Sequence, residues 1–285
     1  MWWYTRLTAY DSFRLAKPVC RFAYRLVHEY GGQRSQSLSR LRSIKSLRGD
    51  APVAVEEILA IRETSTSRNA LVSHPCERVS TGKTLSIPRL RMLLHRRELG
   101  IWTISPDVIE WLHQWVLENR PERVLEFSSG VSTLVIAHAL HEIHPHSVTP
   151  RIISLEQDQA EVRSTQQLLA SAGLGHLAQV RFAPLGPTPF AQSPCYDLSY
   201  EGLTDVLRNQ GFDLIVIDGP AGSRRATLPM AQSLLNRKAC FLLDDALRDA
   251  ELADLQAWST LPGVGVEGIR LLGKGLGCGW AEPLS

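Results

Sequence analysis

Residues 123–133 read Arg-Val-Leu-Glu-Phe-Ser-Ser-Gly-Val-Ser-Thr, and this stretch decides the predicted fold. Its first half is a short apolar run, broken only by Glu126, which is typical of a parallel strand buried on both faces. The run stops at residues 128–130, and apolar residues then recur at helical spacing from Leu134 onward. The stretch therefore predicts a strand, a tight turn and a helix.

The turn after this strand is a candidate ligand site. Free backbone N–H groups at the start of a helix can hold an anion, Gly130 permits close backbone approach, and Ser132 or Thr133 can cap the helix. Glu126 adds a carboxylate, which favours a ligand with a positive group over a pyrophosphate. A structural turn without a ligand is the alternative, because a single short motif is weak support.

Further apolar strands alternate with helical patterns along the rest of the chain. The predicted strands are 124–127, 152–155, 180–183, 212–217 and 239–243, with a closing pair between 264 and 280. This alternation predicts right-handed βαβ units. The predicted fold is α/β: a Rossmann-like, doubly wound, mostly parallel sheet with an antiparallel closing strand, plus an N-terminal helical extension.

Acidic residues stand at or next to the carboxyl ends of four predicted strands. They are Glu126, Glu156, Asp218, Asp244 and Asp245. Ligands of open α/β sheets bind outside these strand ends. Acidic ends on four of these strands exceed what helix capping requires, so the pattern favours a shared functional crevice.

Four segments in this order resemble the motifs of class I S-adenosylmethionine-dependent methyltransferases: 126–133, 154–158, 212–220 and 242–246. The resemblance covers about residues 100–285. It implies that S-adenosylmethionine is the cofactor and that it is bound by Glu126, Ser128, Gly130, Ser132, Thr133, Glu156, Gln157, Ala183 and Leu185. Ser128 departs from the glycine that many members carry. A dinucleotide site fits less well, because G-x-G-x-x-G is missing.

The last acidic group resembles the metal site of the catechol O-methyltransferase-like and cephalosporin-hydroxylase-like branches. The resemblance implies that Asp218, Asp244 and Asp245 hold Mg²⁺ or another divalent ion, with Asp218 catalytic. Such an ion can lower the pKa of a substrate hydroxyl. The alternative is that these residues cap a helix and orient a loop. The lysine that the catechol branch carries is replaced here by Ala221.

The chain has 285 residues and a net charge of +2, and its positive charge is concentrated in residues 1–50. We predict a basic helical extension and linker at 1–50, a connecting region at 51–95 and a methyltransferase domain at 96–285. The basic helix can contact a membrane surface or an acidic partner, or pack against the main domain. No nucleic-acid partner is expected, because stacking aromatic residues are missing from the linker that follows this helix.

The five cysteines are widely spaced and form no C-x-x-C motif. This pattern predicts reduced thiols and a cytoplasmic protein. The predicted activity is transfer of a methyl group to an oxygen of a small-molecule or sugar-like acceptor. Two alternatives stay open, a non-catalytic module of the same fold and a metal-dependent hydrolase. The sequence specifies neither the acceptor nor the oligomeric state.

Overall fold

The computed structural model describes residues 51–63, 85–94, 103–208 and 210–284, so the predicted basic helix lies outside the described residues. The helices are α1 (Val55–Glu63), α2 (Pro88–Leu94), α3 (Pro106–Asn119), α4 (Val131–Ile143), α5 (Gln159–Ser171), α6 (Leu203–Leu207), α7 (Thr227–Gln232) and α8 (Asp249–Trp258). The strands are β1 (Val124–Phe127), β2 (Ile152–Glu156), β3 (Ala178–Phe182), β4 (Leu185–Thr188), β5 (Ala191–Tyr196), β6 (Leu214–Ile217), β7 (Ala239–Leu243), β8 (Val264–Arg270) and β9 (Leu276–Ala281).

Seven strands form one sheet in the order β3-β2-β1-β6-β7-β9-β8. The first five strands run parallel, and β9 lies antiparallel between β7 and β8. The order reverses at β1, because β2 pairs with one side of it and β6 with the other. This arrangement confirms the predicted doubly wound sheet with its antiparallel closing strand.

Both faces of the sheet are covered by apolar side chains. Val124 of β1 packs in the core under α2, α3, α4 and α5. Leu125 and Phe127 pack in the opposite core, with α1, α6, α7, α8 and the β5 strand. Because successive strand residues alternate between faces, a parallel strand covered by helices on both sides must be apolar at nearly every position.

The segment after β3 differs most from what its sequence suggested. Residues 184–196 contain four prolines and gave no strand signal, yet they form a separate antiparallel hairpin of β4 and β5. Leu185 pairs with Tyr196, and Thr188 pairs with Ala191. Proline has no backbone N–H to donate to a neighbouring strand. It is tolerated here because both strands of a two-stranded hairpin are edge strands, whose outward-facing backbone groups need no partner strand.

The region before α3 is joined to the sheet. Val53 and Ile269 of β8 exchange two backbone hydrogen bonds of 2.8 Å, and Ile58 of α1 is fully buried. The three cysteines within the described ranges, Cys195, Cys240 and Cys278, are free thiols. No helix in the described part of the chain is both long and apolar enough to cross a bilayer.

Candidate functional site

The predicted acidic residues meet at one edge of the sheet. Phe127 lies beside Leu155 and Ile217 in the strand register, and Ile217 lies beside Leu243. The residues that follow these positions therefore lie side by side at the carboxyl edge, which brings Glu156, Asp218 and Asp244 to the same rim. Glu126 lies one position earlier in β1 and is fully buried beneath it.

Glu126 is engaged by the first turn of α4. Its two carboxylate oxygens accept hydrogen bonds of 2.6 Å from the hydroxyls of Ser132 and Thr133. The Thr133 hydroxyl also accepts from the Gly130 N–H at 3.0 Å, which caps the helix. Burial raises the pKa of Glu126 to about 7, against the opposing effect of these hydrogen bonds. Its predicted contact with a ligand ammonium stays a prediction.

Ser128 adopts a backbone conformation that glycine reaches more easily than other residues. Its φ angle is 90°, in the left-handed region that a side chain makes unfavourable. The Ser154 hydroxyl fixes this geometry by donating a 2.7 Å hydrogen bond to the Ser128 carbonyl. The turn therefore keeps the glycine-like shape despite the serine.

Glu156 connects the turns that follow β1 and β2. Its carboxylate accepts from the backbone N–H of Ser129 at 3.1 Å and from that of Asp158 at 3.0 Å. Burial is the main cause of its raised pKa. The adjacent Gln157 has a buried side-chain oxygen without a hydrogen-bond partner. A buried acceptor of this kind is costly unless a ligand or water bonds to it, so it marks a position where a ligand donor fits.

The other two predicted cofactor residues differ in their placement. Ala183 is buried, and its N–H donates to the Glu156 carbonyl at 2.9 Å, which puts it at the same rim. Leu185 begins β4 and is 40% exposed. The structure therefore places Ala183 beside Glu156 and Leu185 at the base of the hairpin.

Tyr196 is a rim residue that the sequence did not reveal. Its buried ring packs against Phe127, with ring centroids 5.7 Å apart. Its hydroxyl lies so close to Gly219 that any side chain at 219 would collide with it. Burial raises its pKa well above the usual value, and the charges of Glu156 and Asp218 act in the same direction. The only signal was an aromatic residue within a proline-rich segment.

The three predicted metal ligands also come together. One oxygen from each of Asp218, Asp244 and Asp245 lies within 4.8 Å of the others. Burial is the largest cause of the raised pKa of Asp218 and Asp244, and mutual repulsion among the carboxylates adds to it. Carboxylates this close stay ionised only when cations neutralise them.

Three basic side chains supply that neutralisation. The Asp245 carboxylate contacts Lys274 Nζ at 2.5 Å and Arg248 Nη1 at 2.7 Å. Arg224 Nη2 lies 3.1 Å from Asp218 and 3.3 Å from Asp245. Burial would raise the pKa of Asp245, but the three cations outweigh it and the pKa is lowered. The guanidinium thus stands between two of the three predicted metal ligands.

Arg224 has the most contacts in this group. Its guanidinium is buried and donates to the backbone carbonyls of Asp218 and Asp244, which joins the ends of β6 and β7. It also lies 3.4 Å from Glu251 of α8. Its role depends on contacts across the sheet that a local pattern does not contain.

Comparison with solved structures finds a similar fold in several proteins. An O-methyltransferase from Bacillus cereus in complex with SAH matches with a TM-score of 0.52 and 18% identity, over 69% of this chain and 91% of that one. The O-methyltransferase TomG from Streptomyces achromogenes, in complex with SAM, matches with a TM-score of 0.50 and 19% identity, over 72% and 94%. A SAH-bound methyltransferase from Podospora anserina gives 0.50 and 15%, over 69% and 86%.

The chain has the class I methyltransferase fold. At this level of identity the likeness establishes the fold, and the chemistry has to be argued from the residues. A scan against models of protein families and a search of curated proteins both found no match. Within the methyltransferase fold, the rim formed by Glu156, Gln157, Asp218 and Tyr196 is the candidate active site.

Proposed function

We propose that this chain transfers a methyl group from S-adenosylmethionine to an oxygen of a small-molecule acceptor. The observation that carries the proposal is the pair of acceptors at the end of β2, namely the Glu156 carboxylate and the unpartnered oxygen of Gln157. Each carboxylate oxygen has two acceptor positions, so Glu156 can bond to a ribose diol while it keeps its backbone contacts. S-adenosylmethionine presents such a diol together with an amino group on its adenine ring.

The solved structures support the choice of cofactor. The Bacillus cereus and Podospora anserina proteins hold SAH, and the Streptomyces achromogenes protein holds SAM. The rim of this chain offers donors and acceptors suited to the same molecule. When bound, the cofactor supplies an electrophilic methyl group on a sulfonium sulfur.

Asp218 is our candidate for proton removal from the acceptor. Methyl transfer to a hydroxyl forms an ether and releases one proton, which a positioned base can take as the new bond forms. The Asp218 side chain is 21% exposed, and its pKa is raised by burial and by Asp244. A carboxyl group with a raised pKa is a stronger base once ionised, and its remaining exposure allows an acceptor to approach. The Tyr196 hydroxyl can orient the acceptor from the same rim.

The predicted divalent ion fits this rim only in part. Asp218 and Asp244 would hold it, and the ion would polarise the acceptor oxygen. Asp245 is less suited, because Lys274, Arg248 and Arg224 already contact its oxygens. No step of the proposed reaction therefore depends on a metal, and the catalytic role rests on Asp218.

Binding of S-adenosylmethionine by the full chain, measured calorimetrically, tests the proposal. Glu156→Gln removes the charge that favours the ribose hydroxyls, and we expect roughly 10- to 100-fold weaker binding. Glu161→Gln is the matched control, because Glu161 is an exposed glutamate in the first turn of α5.

An unbiased screen of metabolites for the mass gain of one methyl group then identifies the acceptor. Absence of binding at millimolar cofactor would favour the non-catalytic module. Hydrolysis that needs a divalent ion and ignores the cofactor would favour the hydrolase instead.

A further inference from the structure

A second group of potential ligands lies between α3 and α4. His113 of α3 and His138 of α4 are both buried, and Glu142 lies one turn beyond His138. His113 Nε2 is 3.0 Å from His138 Nδ1, and Glu142 Oε1 lies 3.3 Å from the first nitrogen and 3.0 Å from the second. The three atoms form a nearly equilateral triangle. None of these residues contributes to the rim described above.

Hydrogen bonds alone do not account for this triangle. An ionised carboxylate only accepts, and each ring nitrogen carries at most one proton. If both nitrogens donate to Glu142, two N–H groups oppose each other at 3.0 Å. If only one nitrogen is protonated, its proton can serve at most the two contacts that this nitrogen makes, so the third contact sets lone pair against lone pair. A cation at the centre would turn all three close contacts into favourable ones.

The spacing of the three atoms matches metal coordination. Zinc–nitrogen bonds of about 2.0–2.1 Å and similar zinc–oxygen bonds place tetrahedral ligand atoms about 3.3 Å apart, and octahedral neighbours about 2.9 Å apart. The observed separations of 3.0–3.3 Å fall in this interval. We propose that His113, His138 and Glu142 bind a divalent transition-metal ion of the zinc class.

The protonation states suit this role. Burial lowers the pKa of both histidines, which keeps their ring nitrogens neutral and available as ligands. The Glu142 side chain is 45% exposed, so the ion can enter from solvent and a water molecule can complete its coordination. Arg89 and His141 oppose a cation here, since both also lower the pKa of His138. The Glu142 carboxylate offsets them.

Such an ion would fasten α3 to α4. The first turn of α4 carries Ser132 and Thr133, and its metal-binding residues begin about 8 Å further along the helix axis. The start of α3 carries Asp107, which accepts a hydrogen bond of 2.9 Å from the N–H of Gly273, next to Lys274. The ion would therefore hold together two helices, of which α4 bonds to Glu126 and α3 bonds to the residue next to Lys274. The expected role is structural.

The test uses the full chain without a histidine tag, stripped of metal with a chelator and titrated with Co²⁺. We expect one Co²⁺ per chain, with visible absorption bands, displacement by Zn²⁺ and a higher melting temperature with either ion. Glu142→Gln should weaken binding by about tenfold or more, because it removes the only charged ligand. His113→Gln should weaken it further.

His146→Gln is the matched control, since His146 is an exposed histidine outside the triangle. Glu142→Gln changes a half-exposed side chain and should fold normally, so it remains informative if His113→Gln does not. Failure of the wild-type chain to bind Co²⁺ or Zn²⁺ would overturn the proposal. It would also be overturned by binding that survives Glu142→Gln and His113→Gln but is lost in Asp244→Asn. All readouts concern metal binding and are independent of methyl transfer.

Discussion

The Thr133 hydroxyl donates a 2.6 Å hydrogen bond to the Glu126 carboxylate and accepts a 3.0 Å hydrogen bond from the Gly130 N–H. A single hydroxyl thus joins the end of β1 to the first turn of α4. The same contact fixes the carboxylate in a fully buried position. The turn that opens the candidate cofactor site is therefore organised around a buried acid. Because the ionisation of this acid depends on pH, the stability of the folded chain depends on pH as well.

Glu126→Gln should remove one component of this pH dependence. The pKa of Glu126 rises from 4.5 to about 7 on folding, so the folded chain binds this proton more tightly than the unfolded chain does. Its contribution to stability is therefore greatest below pH 4.5 and is lost as the pH rises towards 7. The loss amounts to roughly 3 kcal/mol at most.

Urea unfolding of wild type and Glu126→Gln between pH 4 and 8 measures this difference. The variant should gain stability relative to wild type as the pH rises, and Glu161→Gln, which changes an exposed glutamate, is the control for the substitution itself. Parallel curves for wild type and Glu126→Gln would contradict the prediction. If Glu126 also contacts the cofactor, the same variant will bind S-adenosylmethionine less tightly.

Replacement of Arg224 should be among the most destabilising changes at the rim. Arg224→Leu leaves Asp218, Asp245 and Glu251 without their shared cation and should lower the free energy of unfolding by about 3–5 kcal/mol. Arg225→Leu is the neighbouring control. The Arg225 side chain is 42% exposed and pairs with the buried Asp254, so its loss leaves one carboxylate instead of three unpaired and should cost about 1–3 kcal/mol. Equal losses in thermal or urea unfolding would refute this assignment.

Much of this fold followed from local sequence patterns. The strand at 239–243 and the first strand have the predicted bounds, because a buried parallel strand is apolar at nearly every position. Acidic residues at the strand ends were also predicted to meet, since parallel strands bring their carboxyl ends to one edge. Both inferences need only short stretches of sequence.

The missed features depend on contacts between distant residues. Tyr196 reaches the rim through a hairpin whose prolines hid its strands. Lys274 reaches Asp245 from the turn between β8 and β9, although the two are 29 positions apart in the sequence. His113 and His138 meet only because α3 packs on α4. The predicted cofactor and metal roles of the rim residues remain predictions.

Ser128→Gly should be more stable than Ser128→Ala. Both variants lose the serine hydroxyl, which makes only a long contact of 3.4 Å to Glu156. Only glycine relieves the strain of the φ angle of 90°. That relief is about 1–2 kcal/mol, and it is partly offset by the greater freedom of glycine in the unfolded chain. Chemical denaturation of the two variants should therefore show an advantage of up to about 1 kcal/mol for glycine. A more stable alanine variant would mean that the turn is unstrained.

Lys274→Met should create affinity for a divalent ion at the acidic rim. The ammonium contacts Asp245 at 2.5 Å, and its removal leaves Asp218, Asp244 and Asp245 with less neutralising charge. We expect Mg²⁺ or Mn²⁺ binding to strengthen by roughly tenfold or more over wild type, because hard carboxylate oxygens favour these ions once no cation competes. Mn²⁺ titration followed by electron paramagnetic resonance measures the change. Lys238→Met is the control, since Lys238 lies over the Trp280 ring on another part of the sheet. Strong binding by wild type, unchanged in Lys274→Met, would show that the basic side chains do not compete with a metal. It would support the metal-assisted mechanism instead.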